Sequence, residues 1–328
     1  MITESRILIT GAAGFIGSHL TEVLLKNNNY LILLDNFNEY YKGKEERLRD
    51  IIKNYKSEEN YKLIKGNLLD TSIYKQIDKD IDYIFHLAAQ AGVRYSINNP
   101  IEVINNNVIS TIKIYEFALN TEKLKKLIYA SSSSVYGNPS YTPCDEGHQK
   151  NPISPYALSK LTGEIYADYY YREFGIPITS LRFYTVYGPR GRPDMAIYTF
   201  YNLMFQNKEI SIYGNGEQLR DFTYVSDIID GLILAGEKDE SKGEVFNLGY
   251  SNPISVNQLV DKMYKITNKT KKIKYLQKQK GDVNITHSNI NKAKRILNFR
   301  PKIDIDEGLT LQYHWQLAFF NGSKKYSL

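Results

Sequence analysis

The sequence has 328 residues, 42% of them hydrophobic and 24% charged, which is the composition of a folded globular chain and excludes a disordered one. Its net charge of +6 suits an anionic small substrate but is too mild to indicate a nucleic-acid-binding protein. The single cysteine, Cys144, excludes an internal disulfide and a cysteine-based metal site, so no metal is predicted.

The chain length allows one large α/β unit or two coupled domains. Met1 is followed almost at once by a predicted strand, and no apolar run reaches membrane-spanning length. We therefore expect no signal peptide, no membrane partner and a cytoplasmic protein.

The first predicted elements form a strand, a glycine turn and a helix. The apolar run Ile7–Thr10 is followed by Gly11–Gly17 and then by a helical pattern. Backbone N–H groups at such a helix start can bind a pyrophosphate. The next apolar run, Tyr30–Leu34, ends in Asp35, where an acidic residue can accept from the ribose hydroxyls and repel a 2′-phosphate. This pattern favours NAD over NADP; the alternative is that Asp35 caps a helix.

Two more strands are predicted before the middle of the chain. The run 61–64 leads to Asn67 and Leu68, which could contact the adenine, and the run 81–89 ends in small residues that let a cofactor pass closely. His86 is interpreted as a packed strand histidine. Residues Gln90–Arg94 are predicted to form a turn into a helix that reaches about Leu119. Arg94 at its start could face substrate phosphates or an acid group, or form a structural salt bridge.

A tyrosine and a lysine share a face of the next predicted helix. Leu127–Ala130 reads as a strand that ends in four serines, and Pro155 starts a helix carrying Tyr156 and Lys160 one turn apart. A neighbouring ammonium, helped by a cationic nicotinamide, would lower the pKa of the phenol and make it a base, with a serine relaying the proton. The alternative is that the tyrosine packs the helix and the lysine is solvated.

The remaining chain is predicted to form a smaller region interleaved with the first. Ile178–Phe183 reads as a strand, and a loop rich in glycine and proline follows it. Segments near 221–250 look as if they return to the sheet. We predict an α/β fold, a Rossmann-type doubly wound parallel sheet over 1–177 with a smaller interleaved C-terminal α/β substrate domain over 178–328.

Together these motifs resemble the extended short-chain dehydrogenase/reductase family, and specifically its NAD-dependent nucleotide-sugar epimerases and dehydratases. The matching residues are Gly11–Gly17, Asp35, His86–Ala89, Ser132 with Tyr156 and Lys160, Arg220–Phe222, and Gly281 with Asp282. The resemblance implies a Rossmann domain with tightly bound NAD, a nucleotide-sugar domain, and often a homodimer formed through a four-helix bundle. Ser110 stands where the family commonly has glycine, a departure small enough that we expect no loss of function.

The residues absent from this sequence favour epimerisation. Sugar 4,6-dehydratases carry Thr-Asp-Glu where this chain has Ser132, Ser133 and Ser134, and UDP-glucuronate decarboxylases usually keep a glutamate in place of the last of these. Epimerases need only the serine, tyrosine and lysine. In that reaction the tyrosine removes the O4 proton while hydride leaves C4 for NAD, and the hydride then returns to the other face of the 4-keto sugar.

Two segments look like those of UDP-glucuronate 4-epimerases, which supply polysaccharide precursors: residues 89–96 and the loop 185–196. Arg192 could clamp the sugar carboxylate, with Ser134 and Thr185 completing its binding. UDP-galactose 4-epimerases usually have asparagine in place of Thr185, but many UDP-glucuronate 4-epimerases have tryptophan where this chain has Arg190, which leaves the sugar open. The alternatives are a neutral UDP-hexose 4-epimerase, a decarboxylase, a one-way oxidoreductase and a non-catalytic NAD-binding module.

The resemblance implies three sets of site residues. The catalytic set is Tyr156, Lys160, Ser132 and Ser134. The cofactor-binding set is Gly11, Gly14, Phe15, Ile16, Gly17, Asp35, Asn36, Asn67, Leu68, Leu87, Ala88, Ala89, Gln90, Asn107, Tyr156, Lys160 and Tyr184. The substrate-binding set is Arg94, Ser133, Ser134, Thr185, Arg192, Arg220 and Asp282.

Overall fold

The computed structural model describes residues 1–279 and 281–322. Its strands are β1 Arg6–Thr10, β2 Tyr30–Asp35, β3 Tyr61–Lys65, β4 Tyr83–His86, β5 Lys126–Ser132, β6 Ile178–Phe183, β7 Thr185–Tyr187, β8 Ile210–Tyr213, β9 Leu219–Arg220, β10 Phe222–Tyr224, β11 Val245–Leu248, β12 Ile254–Ser255 and β13 Ile273–Leu276. Its α-helices are α1 Phe15–Lys26, α2 Lys44–Ile52, α3 Ser57–Asn60, α4 Val93–Asn98, α5 Pro100–Ile104, α6 Ser110–Ala118, α7 Pro155–Phe174, α8 Ala196–Phe205, α9 Val225–Glu237, α10 Val256–Thr267, α11 Asn291–Ile296 and α12 Ile305–Phe320.

A parallel sheet of seven strands forms the centre of the molecule, in the order β11-β6-β5-β4-β1-β2-β3. Its strands are short apolar runs because helices cover both faces, and β6 is buried along its whole length. Strands β2 and β3 are added on one side of β1, and β4 is added on its other side, so the strand order reverses between β1 and β4. Ligands of such sheets bind at the carboxyl ends of the strands at this switch point. The predicted Rossmann-type α/β fold is confirmed.

The second half of the chain alternates between the sheet and a smaller region. Among the described residues, three two-stranded pairs lie outside the main sheet: β7 with β10, β8 with β13, and β9 with β12. Strand β11 returns to the main sheet, where it pairs with β6 and forms one edge. Helices α8, α10 and α12 pack on one another around apolar side chains of the principal core.

The helix predicted to follow the turn at 90–94 and to reach about residue 119 is interrupted, so that prediction was wrong in its continuity. Helix α4 ends before Pro100, since proline restricts the residue that precedes it, and α5 begins at the proline itself. Residues 105–109 then form a single π-helical turn before α6. The wider turn places Asn107 in the interior, where it forms hydrogen bonds to another segment.

None of the helices in the described ranges combines the length and the apolar character needed to cross a membrane.

Candidate active site

A cleft of about 1160 Å³ lies at the carboxyl ends of β1, β2 and β4. The backbone at the floor of the cleft is packed so closely at two glycines that neither position has room for a side chain. A Cβ atom on Gly17 would lie 2.0 Å from the carbonyl oxygen of Gly11, and one on Gly11 would lie 2.8 Å from the backbone nitrogen of Ala88. Gly11 also has a φ of +74°, which favours glycine. The cleft therefore offers bare backbone at the start of α1, which suits the pyrophosphate of a dinucleotide.

The cleft brings together nearly all of the predicted cofactor-binding residues. They are Gly11, Gly14, Phe15, Ile16, Gly17, Asp35, Asn36, Asn67, Leu68, Leu87, Ala88, Ala89, Gln90, Tyr156 and Lys160. Sequence reasoning missed Lys44 and Tyr40, which also line the cleft. No local pattern marks these two residues, because they reach the cleft through the fold of the segment between β2 and α2.

Asp35 is held by backbone groups at the end of β2. One carboxylate oxygen accepts from the Ala13 N–H at 2.9 Å, and the other accepts from the Phe37 N–H at 2.8 Å. Burial raises its pKa, although these bonds and the charge of Lys44 oppose the shift. The alternative of a helix cap is wrong, since Asp35 is the last residue of a strand. Each oxygen keeps a second lone pair that can accept from a ribose hydroxyl.

Two predicted cofactor residues, Asn107 and Tyr184, are not among the residues that line this cleft, and their role in cofactor binding stays a prediction. The Asn107 side chain accepts from the Gln90 N–H at 2.7 Å and donates to the Ser159 hydroxyl at 2.9 Å, so it ties α7 to the segment after β4. Tyr184 lines a second cavity instead. Asn107 therefore positions Gln90, which lines the cleft.

His86 is a packed histidine, as predicted. Its Nδ1 lies 2.8 Å from the Thr10 hydroxyl and its Nε2 lies 2.9 Å from the Thr111 hydroxyl, so both ring nitrogens have partners. The side chain is buried, and burial lowers its pKa to about 3. A permanently neutral, fully bonded imidazole has no role as a base here.

Tyr156 and Lys160 face the inner end of the cleft from α7. Lys160 is buried, donates to the Ala130 carbonyl at 2.7 Å, and lies 6.0 Å from the Tyr156 ring centroid. Burial lowers the pKa of the lysine to about 7, against the pull of Glu164. Burial also raises the pKa of Tyr156, and the charge of Arg192 and a hydrogen bond with Ser132 only partly offset that effect. The predicted lowering of the phenol pKa by Lys160 is therefore not found in the protein alone.

The four serines at the end of β5 and directly after it have different partners. Ser132 is the N-cap of a 3₁₀ turn over 133–136, and its hydroxyl oxygen accepts from the Ser134 N–H at 3.2 Å and the Ser134 hydroxyl at 2.9 Å. Ser133 and Ser134 line the second cavity, whereas Ser131 binds the Glu164 carboxylate. Ser132 thus connects Tyr156 on one side with Ser134 on the other, as a proton relay requires.

The second cavity, of about 820 Å³, lies beside the first, between the sheet and the smaller region. It contains most of the predicted substrate residues, namely Arg94, Ser133, Ser134, Thr185, Arg220 and Asp282. Several of them already have protein partners. Arg220 donates to Asp282 at 2.6 Å and to the Val283 carbonyl at 2.7 Å, and the Arg94 guanidinium stacks 4.6 Å from the Tyr213 ring centroid. The salt bridge considered for Arg94 is replaced by this cation–π contact.

Arg192 lines the first cleft, not the second, and stands near Tyr156. Its Nε donates to one oxygen of Asp194 at 2.9 Å and its Nη2 donates to the other at 3.2 Å. Tyr40 donates to the same carboxylate at 3.0 Å. The guanidinium expected to meet a substrate carboxylate is thus already paired with a carboxylate of the protein.

A buried ion pair that sequence reasoning missed lies behind the serines. Glu164 accepts two hydrogen bonds from Arg182, at 2.9 and 2.6 Å, and Arg182 also donates to the Tyr136 hydroxyl at 2.7 Å. Glu164 continues the stripe of Tyr156 and Lys160 at intervals of four residues along α7, and this spacing was the available signal. The pair supports both cavities, since Ser131 lines one and Tyr136 the other.

Comparisons with known proteins agree on the family. The family model described as GDP-mannose 4,6 dehydratase matches residues 8–311. A UDP-glucuronate 4-epimerase of Thermodesulfobacterium geofontis is 38% identical, with 94% of this chain and 95% of that protein covered.

Two solved structures are also similar. The UDP-glucuronic acid 4-epimerase from Bacillus cereus, in complex with UDP-glucuronic acid and NAD, has a TM-score of 0.89 and 36% identity over 96% of this chain and 99% of that one. A UDP-N-acetylglucosamine 4-epimerase from Methanobrevibacter ruminantium, in complex with UDP-N-acetylmuramic acid, has a TM-score of 0.88 and 31% identity over 97% of this chain and 100% of that one. The relatives share a reaction type but differ in the sugar.

Proposed function

The chain belongs to the GDP-mannose 4,6-dehydratase-like family of extended short-chain dehydrogenases/reductases, and we propose that it interconverts UDP-glucuronate and UDP-galacturonate. It is an isomerase, an NAD-dependent UDP-sugar 4-epimerase. The proposed part is the sugar and the residues that act on it. Arg192 carries this proposal, because it places a guanidinium beside Tyr156 at the inner end of the cofactor cleft.

The first cleft suits NAD. Its bare glycine backbone would hold the pyrophosphate and Asp35 the adenosine ribose, while Lys160 stands at the inner end. Bound there, NAD supplies a reversible hydride acceptor for C4 of the sugar and is regenerated in each cycle. The protein's task is to bind, to orient and to move one proton.

Tyr156 is the proposed base for the O4 proton, and Ser132 is its hydrogen-bonded link to the substrate side. A phenol whose pKa is raised by burial needs a positive charge to ionise, so a protonated Lys160 is expected to assist. Glu164, one turn further along α7, favours that protonated form. Proton transfer at this site should therefore be sensitive to every group that sets the charge of Lys160.

The carboxylate of a uronic acid gives Arg192 a chemical task beyond affinity. A ketone β to a carboxylate loses carbon dioxide easily, and fixing the carboxylate keeps the breaking bond out of line with the carbonyl. We assign this fixation to Arg192, with hydroxyls from Ser134 and Thr185 at the adjoining cavity. The serine at position 134 also lacks the acid that decarboxylases usually keep there, which argues against that alternative.

The direct test is incubation of the purified protein with UDP-glucuronate, without added NAD, and chromatographic separation of the sugar nucleotides. We expect an equilibrium mixture with UDP-galacturonate. Arg192→Ala should weaken UDP-glucuronate binding far more than UDP-glucose binding. Arg94→Ala is the matched control, because it removes an exposed cation that lines the second cavity and should affect the binding of the two sugars equally. An equal loss for both sugars in the Arg192 variant would contradict the assignment.

The second candidate is a 4-epimerase of neutral UDP-hexoses. The pairing of Arg192 with Asp194 favours it, because a guanidinium satisfied by the protein needs no acidic substrate. Turnover of UDP-glucose or UDP-N-acetylglucosamine, with none of UDP-glucuronate, would select this candidate. A Tyr156→Phe variant that kept its full biological role would instead revive the non-catalytic module.

We also propose a homodimer formed through α5 and α7. These neighbouring helices expose large apolar side chains, among which Ile101 is 69% and Ile165 60% accessible. Leu158 and Tyr169 on α7 are also exposed and add to this apolar patch. Such a patch is typical of a protein–protein interface. Sedimentation should give the mass of a dimer, and Ile165→Arg should reduce it to that of a monomer. A monomeric wild-type protein would contradict this proposal.

A further inference from the structure

The cluster of Tyr40, Asp194 and Arg192 joins two segments at the cofactor cleft. Tyr40 comes from the segment between β2 and α2, and the other two residues come from the loop between β7 and α8. The two oxygens of the Asp194 carboxylate accept hydrogen bonds from Nε and Nη2 of Arg192, and one of them also accepts from the Tyr40 hydroxyl. The carboxylate therefore has three donors and is held in one orientation.

The pair stands where a substrate acid would be bound. Arg192 and Tyr40 line the same cleft as Tyr156 and Lys160, and Asp194 is the acidic side chain that the described residues bring onto Arg192. Burial opposes the charge of Asp194, but the charge and hydrogen bonds of Arg192, together with the hydrogen bond from Tyr40, lower the pKa of the carboxyl. At neutral pH the guanidinium thus has an ionised carboxylate as its partner before any ligand arrives.

We propose that Asp194 is the resting partner of Arg192, a carboxylate of the protein that a uronate must displace or share, and that Tyr40 holds it in place. This inference rests on the proposed function, since it concerns how Arg192 receives an acidic sugar. The chemistry is symmetrical, because an aspartate and a uronate present the same group to the same guanidinium. A second carboxylate on one guanidinium is repelled by the first, so Asp194 weakens the binding of an acidic sugar and leaves a neutral one unaffected.

This competition serves the reaction. Epimerisation requires the 4-keto sugar to turn over between loss and return of the hydride, and a carboxylate clamped in one orientation opposes that movement. Asp194 gives Arg192 another partner while the sugar turns, so the half-buried guanidinium is not left without an anion. Asp194 and Tyr40 are therefore positioning residues that act through Arg192, with opposite effects on affinity and on turnover.

The test uses the purified holoenzyme and the Asp194→Asn variant, which keeps the shape of the side chain and removes its charge. Dissociation constants are measured calorimetrically for UDP-glucuronate and UDP-glucose in a Tyr156→Phe background, and kcat is measured with Tyr156 intact. We expect Asp194→Asn to lower the dissociation constant for UDP-glucuronate about tenfold and to lower kcat about tenfold. A fall in both constants is the result expected when a variant removes repulsion between the enzyme and its bound substrate. UDP-glucose binding should stay unchanged.

Two further variants separate the roles of charge and position. Tyr40→Phe keeps every charge and frees Asp194, so it should shift both constants in the same directions but less. Glu39→Gln removes a neighbouring exposed carboxylate and should change neither. Unchanged or weaker UDP-glucuronate binding in Asp194→Asn would overturn the inference, as would an equal gain for UDP-glucose.

Arg192→Ala distinguishes this failure from failure of the proposed function. If Arg192→Ala lowers UDP-glucuronate affinity selectively while Asp194→Asn has no effect, the inference alone is wrong. If Arg192→Ala affects both sugars equally, the carboxylate assignment falls and the inference falls with it.

Discussion

Replacing Glu164 by glutamine tests whether the buried ion pair behind the serines stabilises the fold. The pair is nearly inaccessible, with side-chain exposures of 2% for Arg182 and 5% for Glu164. The variant keeps the shape of the side chain but leaves the guanidinium without an anion. Breaking a buried pair in this way costs about 3–5 kcal/mol, a large part of the roughly 5–15 kcal/mol that stabilises a typical protein.

Urea unfolding followed by circular dichroism measures this cost. With a slope of about 1–3 kcal/mol per molar urea, the midpoint should fall by about 1 M or more. Asp168→Asn is the matched control, because it breaks an exposed pair with Arg172 on the same helix and should leave the midpoint nearly unchanged.

A double-variant cycle identifies the cause of the loss. If the cost arises from the unpaired guanidinium, Glu164→Gln should cost much less in an Arg182→Met background. A shift as small as that of Asp168→Asn would refute the reasoning, and so would equal costs in both backgrounds. The loss should also reach the substrate cavity, because Arg182 donates to Tyr136, which lines it.

Three further predictions concern the site and its floor. Tyr156→Phe should lower kcat by about a thousandfold while UDP binding, measured calorimetrically, stays unchanged, because it removes the proposed base and little surface. Gly17→Ala should abolish the retention of NAD in the purified protein, since its Cβ would lie 2.0 Å from the carbonyl oxygen of Gly11. The Cβ of Gly14→Ala would lie 3.1 Å from the same oxygen, so this variant should retain more NAD. Equal NAD contents in the two variants would contradict the close-approach argument. The pKa of His86 is lowered to about 3 in the folded protein, so as the pH falls this histidine takes up a proton in the unfolded chain before it does so in the folded one. The free energy by which wild type is more stable than His86→Asn should therefore be fully present above about pH 6.5 and shrink by about 1.4 kcal/mol for each pH unit below it. Urea unfolding at several pH values measures this difference. A difference that stays constant with pH would show that His86 does not titrate in this way.

The main sheet could be predicted because its signals are local. The apolar runs that became β1 and β2, and the glycine turn after the first of them, each identify themselves within a few residues. Helix α7 was equally clear, since Pro155 begins it and its two polar residues fall one turn apart. The π turn around Asn107 was not predictable in this way, because an inserted residue in a helix leaves no pattern in the sequence.

Pairings between distant residues set the limit of the site prediction. Arg220 and Asp282 were each expected to meet a ligand, but their mutual bond joins positions 62 residues apart. The direction of the Tyr156 pKa shift was missed for a similar reason, since burial is a property of the whole fold. By contrast, Arg192 and Asp194 are separated by one residue, and their opposite charges in a tight loop could have indicated the pair.

The late return of β11 has a consequence for synthesis of the protein on the ribosome. Strand β6 lies between β5 and β11, so a nascent chain that has not reached Val245 leaves β6 as an open strand edge. Such edges pair readily with other chains. Asn247 on this strand also accepts from the Tyr136 hydroxyl, which would lack that partner until then. A fragment of residues 1–177 lacks both β6 and β11 and leaves β5 as the open edge, so it should aggregate rather than bind NAD.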